Sequence, residues 1–137
     1  MNISKAQNTM DSFIDKSFKY GQFDCLIFAI KTLESFHEMT IDLPIIYDGS
    51  RKSIVKLFKY FKAKTLDQLV ENYCIKKGYK KISKNFLQPF DLLILNKNNE
   101  NLFAIWDGEK ALSIYKTGYG VIFDSNFVSA FRIKRSI

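Results

Sequence analysis

The 137-residue chain is poor in the residues that build metal centres and disulfide frameworks. It has two cysteines, Cys25 and Cys74, and one histidine, His37. No Cys-x-x-Cys pair occurs, and a zinc site needs about four ligands, so neither a metal site nor a cofactor is expected. One pair of thiols is no disulfide framework, and without a secretion signal it points to a reducing compartment or an incidental pair. Arginine is scarce: Arg51, Arg132 and Arg135 are the three. Arginine reads guanine edges and clamps phosphates bidentately, so this scarcity counts against sequence-specific nucleic-acid recognition. Long apolar runs are missing too. The longest, CLIFAI from Cys25, is about a third of the roughly 18–20 residues that span a bilayer. The opening MNISKAQNTMDSF lacks the basic-then-apolar layout of a signal peptide, so a chain without leader or membrane span is expected.

What is present fits one globular domain over residues 1–137. Hydrophobic residues make up 47% and charged residues 26%, which excludes wholesale disorder. Aromatics reach 15%, with 13 Phe and 7 Tyr, so the core is expected to be built around rings. The net charge is +7 and the pI about 9.4. The lysines cluster at Lys56, Lys59, Lys62 and Lys64, and again at Lys76, Lys77, Lys80, Lys81 and Lys84. They read as solvated faces. The aromatics among them (Phe58, Tyr60, Phe61, Tyr79) leave single-stranded nucleic-acid binding as an alternative.

The chain has no internal repeat, linker or low-complexity tract. Residues 3–18 place Ile3, Ala6, Met10, Phe13 and Ile14 at helical spacing. A break follows at Tyr20-Gly21-Gln22-Phe23. Asp24 is a good N-cap, and 25–37 reads as a buried helix, apolar all round in its first turns. Residues 42–50 read as a loop. Ser50 caps a third helix with Ile54, Leu57, Phe58 and Phe61 on one face, and Thr65-Leu66-Asp67-Gln68 matches a capping box for a fourth, ended by Gly78. Cys74 belongs to its buried face. Short strands are then predicted over 90–95, 102–106, 112–115, 121–123 and 130–134, separated by turn chemistry at 96–99 and 107–110. Helices followed by an antiparallel meander give an α+β fold. Trp106 is expected to face the core or an interface, and His37 to sit at a helix C-terminus where positive charge is favoured.

The junction Gly21-Gln22-Phe23-Asp24-Cys25 carries the chemistry. It puts a thiol in the first turn of a helix, where free N–H groups and the helix dipole favour a thiolate. In residue terms alone, a cysteine so placed is more often a small buried hydrophobe. The pattern of Gly21, Asp24 and Cys25, then Pro89-Phe90-Asp91-Leu92-Leu93, then Ala104-Ile105-Trp106-Asp107-Gly108 and Ala130-Phe131-Arg132, resembles the NlpC superfamily of papain-like cysteine peptidases. It is most similar to a small phage and prophage branch, and the likeness runs from about Tyr20 to Lys134.

The resemblance implies an α+β, papain-like fold with N-terminal helices packed on a C-terminal antiparallel sheet. It implies Cys25 as the nucleophile position, vestigial if unpartnered, with Asp24 as the helix cap beside it. This chain departs from the pattern at the base. The family's histidine falls near Leu102, and no histidine lies in that half of the chain. Phe90 and Ala104 stand at the family's glycine positions. Twelve residues along a helix put His37 roughly 18 Å from Cys25, out of reach. Asp24, Asp91 and Asp107 remain as acids that would need unusual pKa values. The expected role is therefore a phage or prophage virion component near the tail tip or hub, structural or adaptor in kind. Its expected partners are other tail proteins, and its expected location is the virion after synthesis in the host cytoplasm. The alternatives are a cysteine hydrolase acting on cell-wall peptides through Cys25, and a basic nucleic-acid-binding domain.

Overall fold

The computed structural model describes residues 1–122 and 126–134. Four helices come first: α1 (Ile3–Asp11), α2 (Cys25–His37), α3 (Arg51–Tyr60) and α4 (Leu66–Lys77). Six strands follow: β1 (Lys80–Ile82), β2 (Leu92–Lys97), β3 (Glu100–Trp106), β4 (Ala111–Tyr115), β5 (Gly118–Val121) and β6 (Asn126–Arg132), with a short 3-10 turn at Lys84–Phe86. The fold is α+β, helices N-terminal and an antiparallel sheet C-terminal.

Local chemistry sets the helix starts. Asn2, Asp24, Ser50 and Thr65 each turn a side-chain oxygen onto the N–H three residues on. The capping box at Thr65 closes one residue early, because Gln68 accepts from the N–H of Lys64 (2.9 Å). Helix α4 ends at Gly78 in the left-handed region, as its sequence predicts. Helix α1 is shorter than the expected 3–18. The Ser12 hydroxyl donates back to the Thr9 carbonyl (2.6 Å), and the chain turns inward so that the buried Phe13 ring meets Phe28 and Phe23 edge-on, at 5.2 and 5.9 Å. Ile14 is left exposed.

The sheet order is β1-β6-β2-β3-β4-β5. Strands β2 to β5 form the expected meander, but β6 crosses back and inserts between β1 and β2. The register pairs Leu93 with Ala104 on one side and with Ala130 on the other. It shifts between Ile94 and Leu95 where Val128 bulges out of β6. Strand β1 is not expected from the sequence, and β6 begins four residues before the predicted 130–134. Strand β5 starts earlier than the predicted 121–123, whose Phe123 lies outside the described residues.

Both sheet faces are covered. On one, Leu92, Ile94, Phe103, Ile105 and Phe131 meet Phe28, Ala29, Leu33 and Phe36 of α2 and Val70 and Cys74 of α4. Cys74 is core, as expected. On the other, Leu93, Leu95, Leu102, Ala104 and Ala130 form a second buried cluster, with Trp106 and Phe127 packed against it. Burial on both faces explains why β2 reads LLIL rather than alternating. A third, smaller cluster of Leu57, Phe61 and Leu69 joins α3 to α4. Fully burying each large side chain contributes about 1.5–3 kcal/mol, so α2 is the helix the fold leans on most. No helix among the described residues is long and apolar enough to cross a membrane.

Candidate functional site

The loop before α2 is a tight turn, bridged from Lys19 to Phe23. Gly21 sits in it at φ +82°. Opposite lies Gly49 at φ +86°, in the loop before α3. The two backbones touch: a Cβ at Gly21 would fall 2.2 Å from the Asp48 carbonyl oxygen, and one at Gly49 would fall 2.3 Å from the Gly21 nitrogen. Only glycine lets them approach so closely.

Asp24 ties this crossing to the helix. Its carboxylate is buried and accepts from three donors: the Ile27 N–H (2.9 Å), the Gly21 N–H (2.6 Å) and the Tyr47 hydroxyl (2.5 Å). Burial and the Asp24 charge push the Tyr47 phenol far above its ordinary range, so it remains a donor. The cap expected from the sequence is therefore also a clamp that joins the loops before α2 and α3.

Cys25 opens α2 beside this clamp. Its Sγ accepts the Phe103 N–H of β3 at 3.5 Å, and its side chain lines a pocket of about 170 Å³ walled by Phe18, Leu57, Phe58 and Leu102. The thiol faces a pocket and also packs on both sheet clusters. Its pKa is pushed up to about 12, chiefly by desolvation. The Asp24 carboxylate raises it further, while the Phe103 N–H and the first-turn amides lower it. The helix N-terminus acts in the direction the sequence suggests, but burial outweighs it, and the thiol is protonated at neutral pH.

Strand β3 runs past the sulfur at the place where the resemblance locates a histidine. Leu102 stands there, 2% exposed, and Ile94 faces Phe103 across the ladder. The polar groups on this stretch are at its outer end, where Glu100 accepts from the Tyr115 hydroxyl (3.0 Å) and the Lys116 ammonium (2.9 Å). All three line the same pocket.

The remaining sequence candidates lie elsewhere. Asp91 is buried and held by Arg132 in a two-pronged pair, Nε to Oδ1 at 2.9 Å and Nη2 to Oδ2 at 2.8 Å, with the Gln88 N–H on the same carboxylate (2.8 Å). The motif positions Asp91 and Arg132, 41 residues apart, thus become one structural unit. Asp107 accepts from the Glu109 and Lys110 N–H groups, both at 2.8 Å, and shapes the turn after β3. His37 ends α2, at the opposite end from Cys25, as expected, but a positive charge is not favoured there. It is 7% exposed, and burial together with the Met1 amino group lowers its pKa against an opposing pull from Asp91. The neutral ring is favoured. Trp106 packs against the second sheet cluster, within the expected choices. No group of three or more His, Cys, Asp or Glu among the described residues is placed to hold a metal ion.

Sequence reasoning misses Tyr47, Gly49 and Phe103. A glycine one residue before a helix cap is a usable signal for Gly49. Tyr47 has no signal of its own, because its role depends on a carboxylate 23 residues away.

A family model described as a domain of unknown function, DUF6950, matches residues 3–133, and the chain belongs to that family. No curated protein matches it.

Proposed function

We propose that this DUF6950 chain is a phage or prophage virion component, positioned at the tail tip or hub, in which a papain-like domain serves as a structural or adaptor piece. Other tail proteins are its partners. One observation carries the reading: Cys25 keeps the nucleophile's place at a helix start and touches β3 through Phe103, yet the strand offers it Leu102 and no base. A peptidase needs an imidazole or its equivalent to take the thiol proton and return it to the leaving amine. Here the three candidate carboxylates are engaged in a cap, an ion pair and a turn. The Phe90 backbone at φ +68° also supports the likeness, since the resemblance places a glycine at that position. The virion role rests on the resemblance alone.

The test compares Cys25 alkylation across pH, read by mass spectrometry, with particle composition. Alkylation that climbs without a plateau through pH 10, together with the chain at fixed stoichiometry in purified particles, is the expected result. Fast alkylation below pH 8 reinstates the hydrolase acting on cell-wall peptides, and absence from particles overturns the virion role.

A second reading has its own observation. Arg51, Lys52, Lys56, Lys59, Lys62 and Lys64 are all exposed, and none makes an ion pair among the described residues; no acidic residue lies between Asp48 and Asp67. This face would take a nucleic-acid backbone, and such binding must weaken steeply as salt rises. Salt-independent binding removes that reading.

A further inference from the structure

A second opening lies at the far end of α2, away from Cys25. It is a groove of about 710 Å³, within the size range of small-molecule sites. Its apolar wall includes Ile3, Ile133 and the rings of Phe36 and Phe90, which stack at 4.2 Å with 19° between their planes. Its polar lining is His37, Gln88, Asp91, Arg132 and Lys134.

Two features make this more than a surface hollow. First, His37 is more than nine-tenths buried and lines the groove, yet neither ring nitrogen makes a hydrogen bond among the described residues; its partner in the fold is the Phe36 ring, edge-on at 4.8 Å. The His37 ring nitrogens are not among the unpaired side-chain atoms closed off from solvent, so they stand open to a partner. Second, Arg132 has donors to spare. Its Nε and Nη2 serve Asp91 and the Phe86 carbonyl, which leaves both Nη1 hydrogens unused. Asp91 is neutralised in that pair, so the charge left over in the groove is positive, from Lys134 beyond β6 and the amino group of Met1 ahead of α1.

We propose that this groove binds a carboxylate carried on a compact apolar body. Arg132 and Lys134 hold the charge, His37 hydrogen-bonds the acid, and the body lies on Phe36 and Phe90. A carboxylate fits because the guanidinium fork matches its planar pair of oxygens. The charges acting on His37 are the Met1 amino group and Asp91, and Arg132 and Lys134 line the same groove. An added anion shifts that balance toward the imidazolium.

His37 is the chain's single histidine, so one labelled ring reports on the groove. The test titrates the full chain, with isotope-labelled histidine, against 3-phenylpropionate, N-acetylphenylalanine, neutral 3-phenylpropanol and inorganic phosphate. The two carboxylates are expected to shift the His37 ring signals and to raise its titration midpoint. The alcohol and phosphate should bind at least about tenfold more weakly. N-acetylphenylalanine binding as tightly as phenylpropionate identifies a peptide C-terminus as the natural form, while a preference for phenylpropionate identifies a free acid. Lys134→Ala, an exposed change that leaves the Asp91 pair alone, should weaken carboxylate binding about two- to fivefold. Unmoved His37 signals at about 10 mM of every probe overturn the proposal, as does an alcohol that binds as well as the acid.

Discussion

Replacing Gly21 by Ala should cost far more than any effect of backbone conformation alone. Three glycines separate the contributions. Gly78 has φ +76° and nothing within 4 Å of where a Cβ would stand, so Gly78→Ala costs only left-handed strain, about 1 kcal/mol. Gly21 has nearly the same φ, +82°, but its Cβ would lie 2.2 Å from the Asp48 oxygen and 2.5 Å from the Asp48 carbon. Both are backbone atoms, so the loops must part. Parting them pulls Tyr47 and the Gly21 N–H away from the buried Asp24 carboxylate, at about 1–3 kcal/mol for polar groups left unpaired. The total is about 2–4 kcal/mol, a large share of the roughly 5–15 kcal/mol that holds a typical domain together. Urea unfolding read by Trp106 fluorescence and far-ultraviolet circular dichroism measures it. With a slope of about 2 kcal/mol per molar, Gly78→Ala lowers the midpoint by about 0.5 M and Gly21→Ala by about 1–2 M. Gly49→Ala meets the same crossing, at 2.3 Å from the Gly21 nitrogen, so the double variant should cost clearly less than the two single costs together. A Gly21→Ala midpoint equal to that of Gly78→Ala refutes the steric account.

Three other outcomes are expected. Tyr47→Phe should destabilise by about 1 kcal/mol and Asp24→Ala by about 2–4 kcal/mol, because the second also removes the α2 cap; equal urea midpoints for the two would deny Asp24 its clamping role. Asp24→Asn should speed Cys25 alkylation at any fixed pH, since removing the neighbouring negative charge lowers the thiol pKa, and unchanged kinetics would discount that charge. His37 has a folded pKa below its unfolded value near 6.5, so the unfolded chain binds more protons just below that pH. Stability is then fully present above pH 6.5 and falls as the pH drops below it, and His37→Gln should flatten that part of the urea-derived stability profile.

How much of the molecule is legible in its sequence varies with the range of the physics involved. Helix α2 matches its expected bounds because Asp24 caps it locally and the apolar run CLIFAI leaves no competing pattern. The caps at Ser50 and Thr65 and the stop at Gly78 are legible for the same reason. Strand β1 is not, because KKI carries two exposed lysines and is a strand only through its pairing with β6. A simple meander is what short strands with turns between them suggest, and nothing local in Phe127 or Ser129 says that β6 crosses to β2. At the site, the cysteine and its cap are visible, whereas the burial that raises the thiol pKa comes from packing on both sheet clusters, whose strands are far away in sequence. His37 ends its helix as expected, but the expected preference for positive charge fails because helix-end electrostatics takes no account of the burial of the ring.

The position of β6 has a consequence for how the chain is made. It is the last strand among the described residues and an interior strand in space, joined to β1 on one side and β2 on the other. A ribosome delivers β2 to β5 first, and the meander forms with the inner edge of β2 unpaired: Leu92, Leu93, Ile94 and Leu95 present open backbone groups and apolar side chains together. Such an edge templates pairing with another chain. Closure waits for a contact spanning about 40 residues, which is slow for a sheet of this size. A nascent chain stopped before residue 126 would carry every helix and most of the core and still be aggregation-prone, so any C-terminal fusion or truncation bears first on folding yield rather than on the stability of the finished domain.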